Sequence, residues 1–141
     1  MFEKYLIHPG SFRNVKRADK VIGYEIGLRI PYYRGLPMSC VEEITLSVDD
    51  DKVASNDMII VVKGEEFTVS ELSTAINHRW EMVDPITVFV KKEGGLSTGK
   101  HKINGFVSLR ISYQPHSNVG EDEKILELAE EKIVKEGSYE L

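Results

Sequence analysis

Residues 20–30 read Lys20-Val21-Ile22-Gly23-Tyr24-Glu25-Ile26-Gly27-Leu28-Arg29-Ile30, and this stretch decides the fold class. Ile22, Tyr24, Ile26, Leu28 and Ile30 fall at every second position, with Gly23, Glu25, Gly27 and Arg29 between them. Side chains of a strand point to alternate faces, so period two marks a strand with one apolar side. The pattern recurs outward along the chain. Ile44, Leu46 and Val48 alternate, as do Ile86, Val88 and Val90. The longest run sets Ile103, Gly105, Val107, Leu109, Ile111 and Tyr113 against Asn104, Phe106, Ser108, Arg110 and Ser112. Residues 58–62 are continuously apolar, which fits a central strand. Asp49-Asp50-Asp51-Lys52 and Lys63-Gly64-Glu65-Glu66 read as turns, 67–69 as a short returning strand, and the glycine-rich 93–100 as a hairpin loop.

Two segments depart from period two. Ser70 can cap a short helix carrying Leu72, Ala75 and Ile76, with Asn77 as its stop. Further on, Ile125, Leu128, Ala129 and Ile133 lie at helical spacing among Glu and Lys, which predicts an amphipathic helix over 121–136. The expected fold is therefore all-β: an antiparallel two-sheet β-sandwich with one short inserted helix and a C-terminal amphipathic helix. Residues 1–115 form the sandwich domain in this reading, and 116–141 a linker and the terminal helix.

Composition narrows the function. The chain has 141 residues, 41% hydrophobic and 29% charged, the balance of one globular domain with a real core. A net charge of −5 with no Lys/Arg cluster argues against a nucleic-acid partner. Met1-Phe2-Glu3-Lys4-Tyr5-Leu6-Ile7-His8-Pro9 is too briefly apolar for a signal peptide, and no run reaches the roughly 20 apolar residues of a membrane span. A single cysteine, Cys40, permits no internal disulfide. The expectation is a cytoplasmic protein, with Cys40 a small core residue.

Self-sufficient chemistry is hard to find. Gly94 to Lys100 has P-loop spacing, but His101 stands where Ser or Thr should hold magnesium, and a strand follows where a helix is required. His8, His78, His101 and His116 show no helical metal-site spacing. Asp49-Asp50-Asp51 lacks the spaced ligands of a calcium loop. No pair of isolated acids nominates itself for acid–base work, so no catalytic and no metal-ligating residue is assigned.

The strongest recognition feature is the connection Pro31-Tyr32-Tyr33-Arg34-Gly35-Leu36-Pro37. Two aromatics and a guanidinium on a loop pinned by prolines suit a contact surface, since stiff groups bind at low entropic cost. Against this stands a plainer reading, in which both rings fold onto the sandwich rim. Trp80, between Arg79 and Glu81, is either a core anchor or a partner contact.

Several blocks resemble one family. Ser11-Phe12-Arg13-Asn14-Val15, Val21-Ile22-Gly23-Tyr24, Arg29 to Pro37, Phe67 to Leu72, Arg79-Trp80-Glu81, Gly94-Gly95-Leu96 and Leu109-Arg110-Ile111-Ser112-Tyr113 are similar to the small beta subunit of bacterial C-glycoside deglycosidases. The resemblance spans about residues 9–115 and leaves the C-terminal segment outside. It implies an accessory subunit of a carbon–carbon lyase. Its partner would be a TIM-barrel alpha subunit, holding a divalent metal, manganese by expectation, and the acid/base residues. The substrate would be a 3-oxo-C-glucoside with a flavonoid-type aglycone. No cofactor is implied on this chain. Tyr32, Tyr33, Arg34, Arg79 and Trp80 are the candidates for partner or active-site rim contact. The competing reading is a stand-alone carbohydrate-binding β-sandwich module using Tyr32 and Tyr33 as its platform.

Overall fold

A computed structural model describes residues 5–111 and 114–141. The chain runs through β1 (Ile7–Arg17), β2 (Lys20–Leu28), β3 (Leu36–Pro37), β4 (Val41–Val48), β5 (Asp51–Lys52), β6 (Met58–Val62), β7 (Glu65–Thr68), β8 (Arg79–Trp80), β9 (Ile86–Lys91), β10 (Lys100–Leu109), β11 (Asn118–Glu127) and β12 (Ala129–Val134). These build a six-stranded sheet ordered β12-β1-β2-β9-β6-β7, a four-stranded sheet ordered β11-β10-β4-β5, and the two-stranded ribbon β3-β8. Ser112 and Tyr113, expected to continue the longest strand, lie outside the described residues.

The alternation does what its period demands. Tyr24, Ile26 and Leu28 of β2, Ile60 of β6 and Val88 of β9 share one buried cluster with Ile44, Leu46 and Val48 of β4 and Ile103 and Val107 of β10. Both large sheets thus feed one core, the main source of stability in a fold held by apolar burial. Met58–Val62 is an interior strand, as its unbroken apolarity required. The turns at Ala18-Asp19, Asp49-Asp50 and Lys63-Gly64 join β1–β2, β4–β5 and β6–β7 with both central residues at positive φ, the geometry that matches strand twist in two-residue hairpins.

Ile22 breaks the pattern. Val15 pairs Gly23 and Lys16 pairs Val21, so Ile22 sits in a bulge and packs on the outer side of the six-stranded sheet. There Val15, Ile59, Phe89 and Tyr139 form a second, smaller cluster. The Tyr139 ring stacks on Phe89 with centroids 4.4 Å apart and planes 16° apart. Its hydroxyl donates to the buried Glu25 carboxylate at 3.1 Å, and Lys132 approaches the same oxygen at 3.5 Å.

Four expectations need correction. No α-helix spans 121–136; the segment forms β11, which pairs along β10, and β12, which pairs β1. The supposed apolar stripe is not buried as a unit: Ile125 and Ile133 are 68% and 75% exposed, whereas Leu126 and Leu128 pack against the core. A ten-residue antiparallel ladder with β10 supplies hydrogen bonds along its whole length, at alternate pairs, and that tertiary context outweighs local helix preference. The inserted helix is only a 3-10 turn over Val69–Thr74. Its cap is Thr68, in a reciprocal capping box with Glu71, and not Ser70. The pairing is not purely antiparallel, because β1 and β12 run parallel. Finally, 93–100 is no hairpin: β9 belongs to the six-stranded sheet and β10 to the four-stranded one, so the loop crosses between sheets.

Candidate functional site

The ribbon β3-β8 brings the sequence candidates to one place. Leu36 pairs Trp80 and Pro37 pairs Arg79 in antiparallel register. The Met38 N–H extends this by donating to the His78 carbonyl at 2.7 Å. Trp80 is fully buried, and its indole N–H donates to the Leu28 carbonyl at 3.2 Å. Its role is that of a core anchor, tying the ribbon to the end of β2. Arg79 stays exposed; Nε donates to Glu81 at 2.8 Å and Nη2 to the Gly35 carbonyl at 3.1 Å. The guanidinium therefore clips the loop to the strand opposite. The approach is close at Gly35, where a Cβ would displace the Glu81 carboxylate and press on the Trp80 carbonyl oxygen at 3.0 Å.

The two tyrosines part company. Tyr32 is 4% exposed and belongs to the core, whereas Tyr33 is 55% exposed. Their rings lie 4.3 Å apart with a 46° tilt, so the buried ring props the exposed one. The loop does not offer two coplanar exposed rings, the platform a sugar-binding reading of Tyr32 and Tyr33 requires. Arg34 is exposed beside Tyr33. Pro31 is buried, and Gly120 of β11 leaves room for it: a Cβ there would meet the proline ring at 2.4 Å.

Residues missed in the sequence complete the picture. The ladder ends at Leu36–Trp80; beyond it Gly35 lies against Glu81, and the chain continues into Met82 and Val83 on one side as it enters from Tyr33 and Arg34 on the other. Met82 is exposed, and Val83 is 85% exposed. The signal available was two apolar residues with no strand or helix period, placed just before the Asp84-Pro85 turn. The two segments that lead into and out of the ribbon thus expose an aromatic ring, a guanidinium, a thioether and an isopropyl group, a composition enriched at protein interfaces for its aromatic, Arg and Met content.

Other motif residues prove structural. The Ser11 hydroxyl donates to the His8 carbonyl and accepts from the Gly27 N–H at 2.7 Å, stitching the irregular start of β1 to β2. Asn14 binds the backbone of Leu96. Cys40 is half-buried against the core. His101 is buried where β10 begins, with Nδ1 2.5 Å from Asp49 Oδ2 and Nε2 2.7 Å from the Ser97 carbonyl. Burial works against its charged form, but the Ser97 carbonyl and the Asp49 carboxylate outweigh that and hold its pKa above the ordinary histidine value. Among the described residues no group of three or more His, Cys, Asp or Glu side chains is placed to hold a metal ion, and no helix is long and apolar enough to cross a membrane.

Comparison with known proteins agrees with the motif blocks. The family model for the C-glycoside deglycosidase beta subunit matches residues 2–113. The chain is 32% identical over 114 residues to a C-glycoside deglycosidase beta subunit of Eubacterium cellulosolvens, covering 80% of this chain and 78% of that protein. It is 30% identical over 101 residues to a 3'-dehydrocarminate deglycosidase beta subunit of a Microbacterium species, covering 69% and 76%. A C-glycoside deglycosidase beta subunit of Microbacterium trichothecenolyticum is 34% identical over 91 residues, covering 62% and 66%. With its β1 stitching, its Asn14 contact and its anchored ribbon all built from matched residues, the chain belongs to the C-glycoside deglycosidase beta subunit family.

Proposed function

We propose that this chain is the accessory subunit of a cytoplasmic heteromeric C-glycoside deglycosidase, its two large sheets forming the layers of a sandwich. The partner is a TIM-barrel alpha subunit that carries a divalent metal, manganese by preference, and the catalytic acid and base. The ribbon tip, with Tyr33, Arg34, Met82 and Val83, docks on it near the active-site rim. The observation that carries this reading is the rigid presentation of exposed interface-type side chains: Tyr33 is propped by buried Tyr32, and the strand opposite is anchored by buried Trp80.

The reaction explains such a division of labour. A C-glycosidic bond has no leaving oxygen to protonate, so the paired-carboxylate route of ordinary glycosidases does not serve. A ketone at C3 of the sugar acidifies the adjacent C–H. A base removes that proton, a metal or hydrogen-bond donor stabilises the enolate, and elimination breaks the carbon–carbon bond. The aglycone, of flavonoid type, leaves as a stabilised carbanion and is protonated. The accessory subunit's contribution is to hold or cover the barrel rim.

The test is co-expression with the neighbouring barrel subunit and an assay for aglycone release from a 3-oxo-C-glucoside. Release that requires both chains supports the proposal. Full activity of the barrel alone, or no complex between the two, overturns it.

A further inference from the structure

The outer face of the four-stranded sheet carries a second feature, remote in sequence from the ribbon tip. Asn104 pairs Ser47 on one side and Glu123 on the other; Phe106 pairs Thr45 and Glu121. Strand alternation turns all six side chains away from the core, since Leu46, Gly105 and Asp122 between them face the opposite way. These two rows line an open cavity of about 510 Å³, a size suited to a small molecule.

Its chemistry is selective. Asn104 Nδ2 donates to Glu123 Oε1 at 2.8 Å, which orients that carboxylate and leaves its second oxygen as an acceptor. The Thr45 hydroxyl donates to Glu43 at 2.9 Å, so its lone pairs also remain available. Glu121 adds a further acceptor at the rim. The wall is thus rich in oxygens that accept, around one flat, half-buried aromatic ring. An anion is disfavoured by the carboxylates. A metal ion finds no set of three ligands among the described residues. The complement is a neutral molecule with many hydroxyl donors on its edge and an apolar C–H face to lie on a ring, which describes a pyranose.

We infer that the Ser47-Asn104-Glu123 and Thr45-Phe106-Glu121 rows form a binding site for a neutral hexose unit, with Phe106 as stacking platform and Glu121 and Glu123 as hydroxyl acceptors. The site lies on the chain itself and does not depend on the docking role of the ribbon.

The test is amide chemical-shift mapping of the isolated full chain titrated with methyl β-glucopyranoside. The expected result is saturable shifts in the millimolar range at residues 45–47, 104–106 and 121–123. Phe106→Leu keeps the apolar volume but removes the flat ring; it should weaken binding about tenfold, equivalent to about 1.4 kcal/mol, while amides elsewhere stay unmoved. Glu123→Gln, which keeps the shape and halves the acceptor character, should weaken it as well. Absence of shifts up to high sugar concentration, shifts centred on residues 31–37 and 79–83, or full binding by Phe106→Leu each overturn the proposal.

Discussion

Asn14 grips Leu96 with both ends of its amide: Nδ2 donates to the Leu96 carbonyl at 2.9 Å, and Oδ1 accepts the Leu96 N–H at 2.9 Å. One side chain on β1 thereby fixes the loop that carries the chain from one sheet to the other. Gly95 permits the approach, for its φ is +65° and a Cβ would lie 2.5 Å from Asn14 Oδ1. Asn14→Ala should cost about 2 kcal/mol, two hydrogen bonds at about 1 each, seen as a lower midpoint in urea unfolding. Asn14→Asp keeps the acceptor and should cost less. Gly95→Ala should be at least as harmful as Asn14→Ala, through strain at positive φ and the clash together.

His101 predicts a pH dependence. Its pKa is raised in the fold, so its stabilising contribution is complete below the ordinary value of 6.5 and disappears as pH climbs through the higher folded value. Asp49 is the mirror image: accepting from His101 and the Lys102 N–H lowers its pKa below the ordinary 3.8, so its contribution is present above that value and disappears as pH falls through the folded one. The pair therefore favours mildly acidic to near-neutral conditions. Thermal unfolding from pH 5 to 9 should show the wild type losing stability relative to His101→Gln as pH rises, and a pH-independent difference would contradict the protonated pair.

Tyr139 closes the outer face of the six-stranded sheet. Tyr139→Phe removes the hydroxyl that donates to buried Glu25, leaving that carboxylate to Lys132 and, at 3.9 Å, Arg13. The expected cost is about 1.5–3 kcal/mol, the range for a lost hydrogen bond to a charged group. Tyr139→Ala also gives up the stack on Phe89 and should cost about 3 kcal/mol or more. Urea unfolding of both variants checks the order.

The ribbon separates anchoring from the docking proposed for it. Trp80→Ala should destabilise the isolated chain by about 3–5 kcal/mol, because it empties a fully buried ring site. Tyr33→Ala and Val83→Asp should leave isolated stability within about 0.5 kcal/mol, yet weaken association with the alpha subunit by about 2 kcal/mol if they sit at its centre. Thermal unfolding and a pull-down with the partner subunit, run on the same variants, distinguish the two roles.

What could be read in advance follows from periodicity. β2, β4, β9 and β10 were legible because each sends an alternating row of apolar residues into the shared core. β1 was not, because Pro9, Gly10 and the register shift between His8 and Arg13 erase its alternation. β11 and β12 were misread because Glu and Lys fill the exposed positions of an edge strand as readily as those of a helix, and Ile125 and Ile133 point outward. Tyr33, Arg34, Arg79 and Trp80 could be singled out by residue type and motif, but their meeting depends on the two-residue β3-β8 ladder, which has no sequence period. Met82 and Val83 sit in a turn just past that ladder, where no period marks them as exposed.

The parallel seam between β1 and β12 joins residues far apart in the chain. The β1-β2 and β6-β7 hairpins close through two-residue turns and can form from neighbouring residues alone. β12 must find β1 across nearly the whole chain, and such distant pairings slow folding. Until that encounter, the outer edge of β1 stands open, with its unpaired backbone groups a template for any passing strand. Pairing with β12 covers that edge and places at the boundary of the sheet a strand bearing Glu130, Glu131 and Lys132, charges that discourage pairing with another molecule.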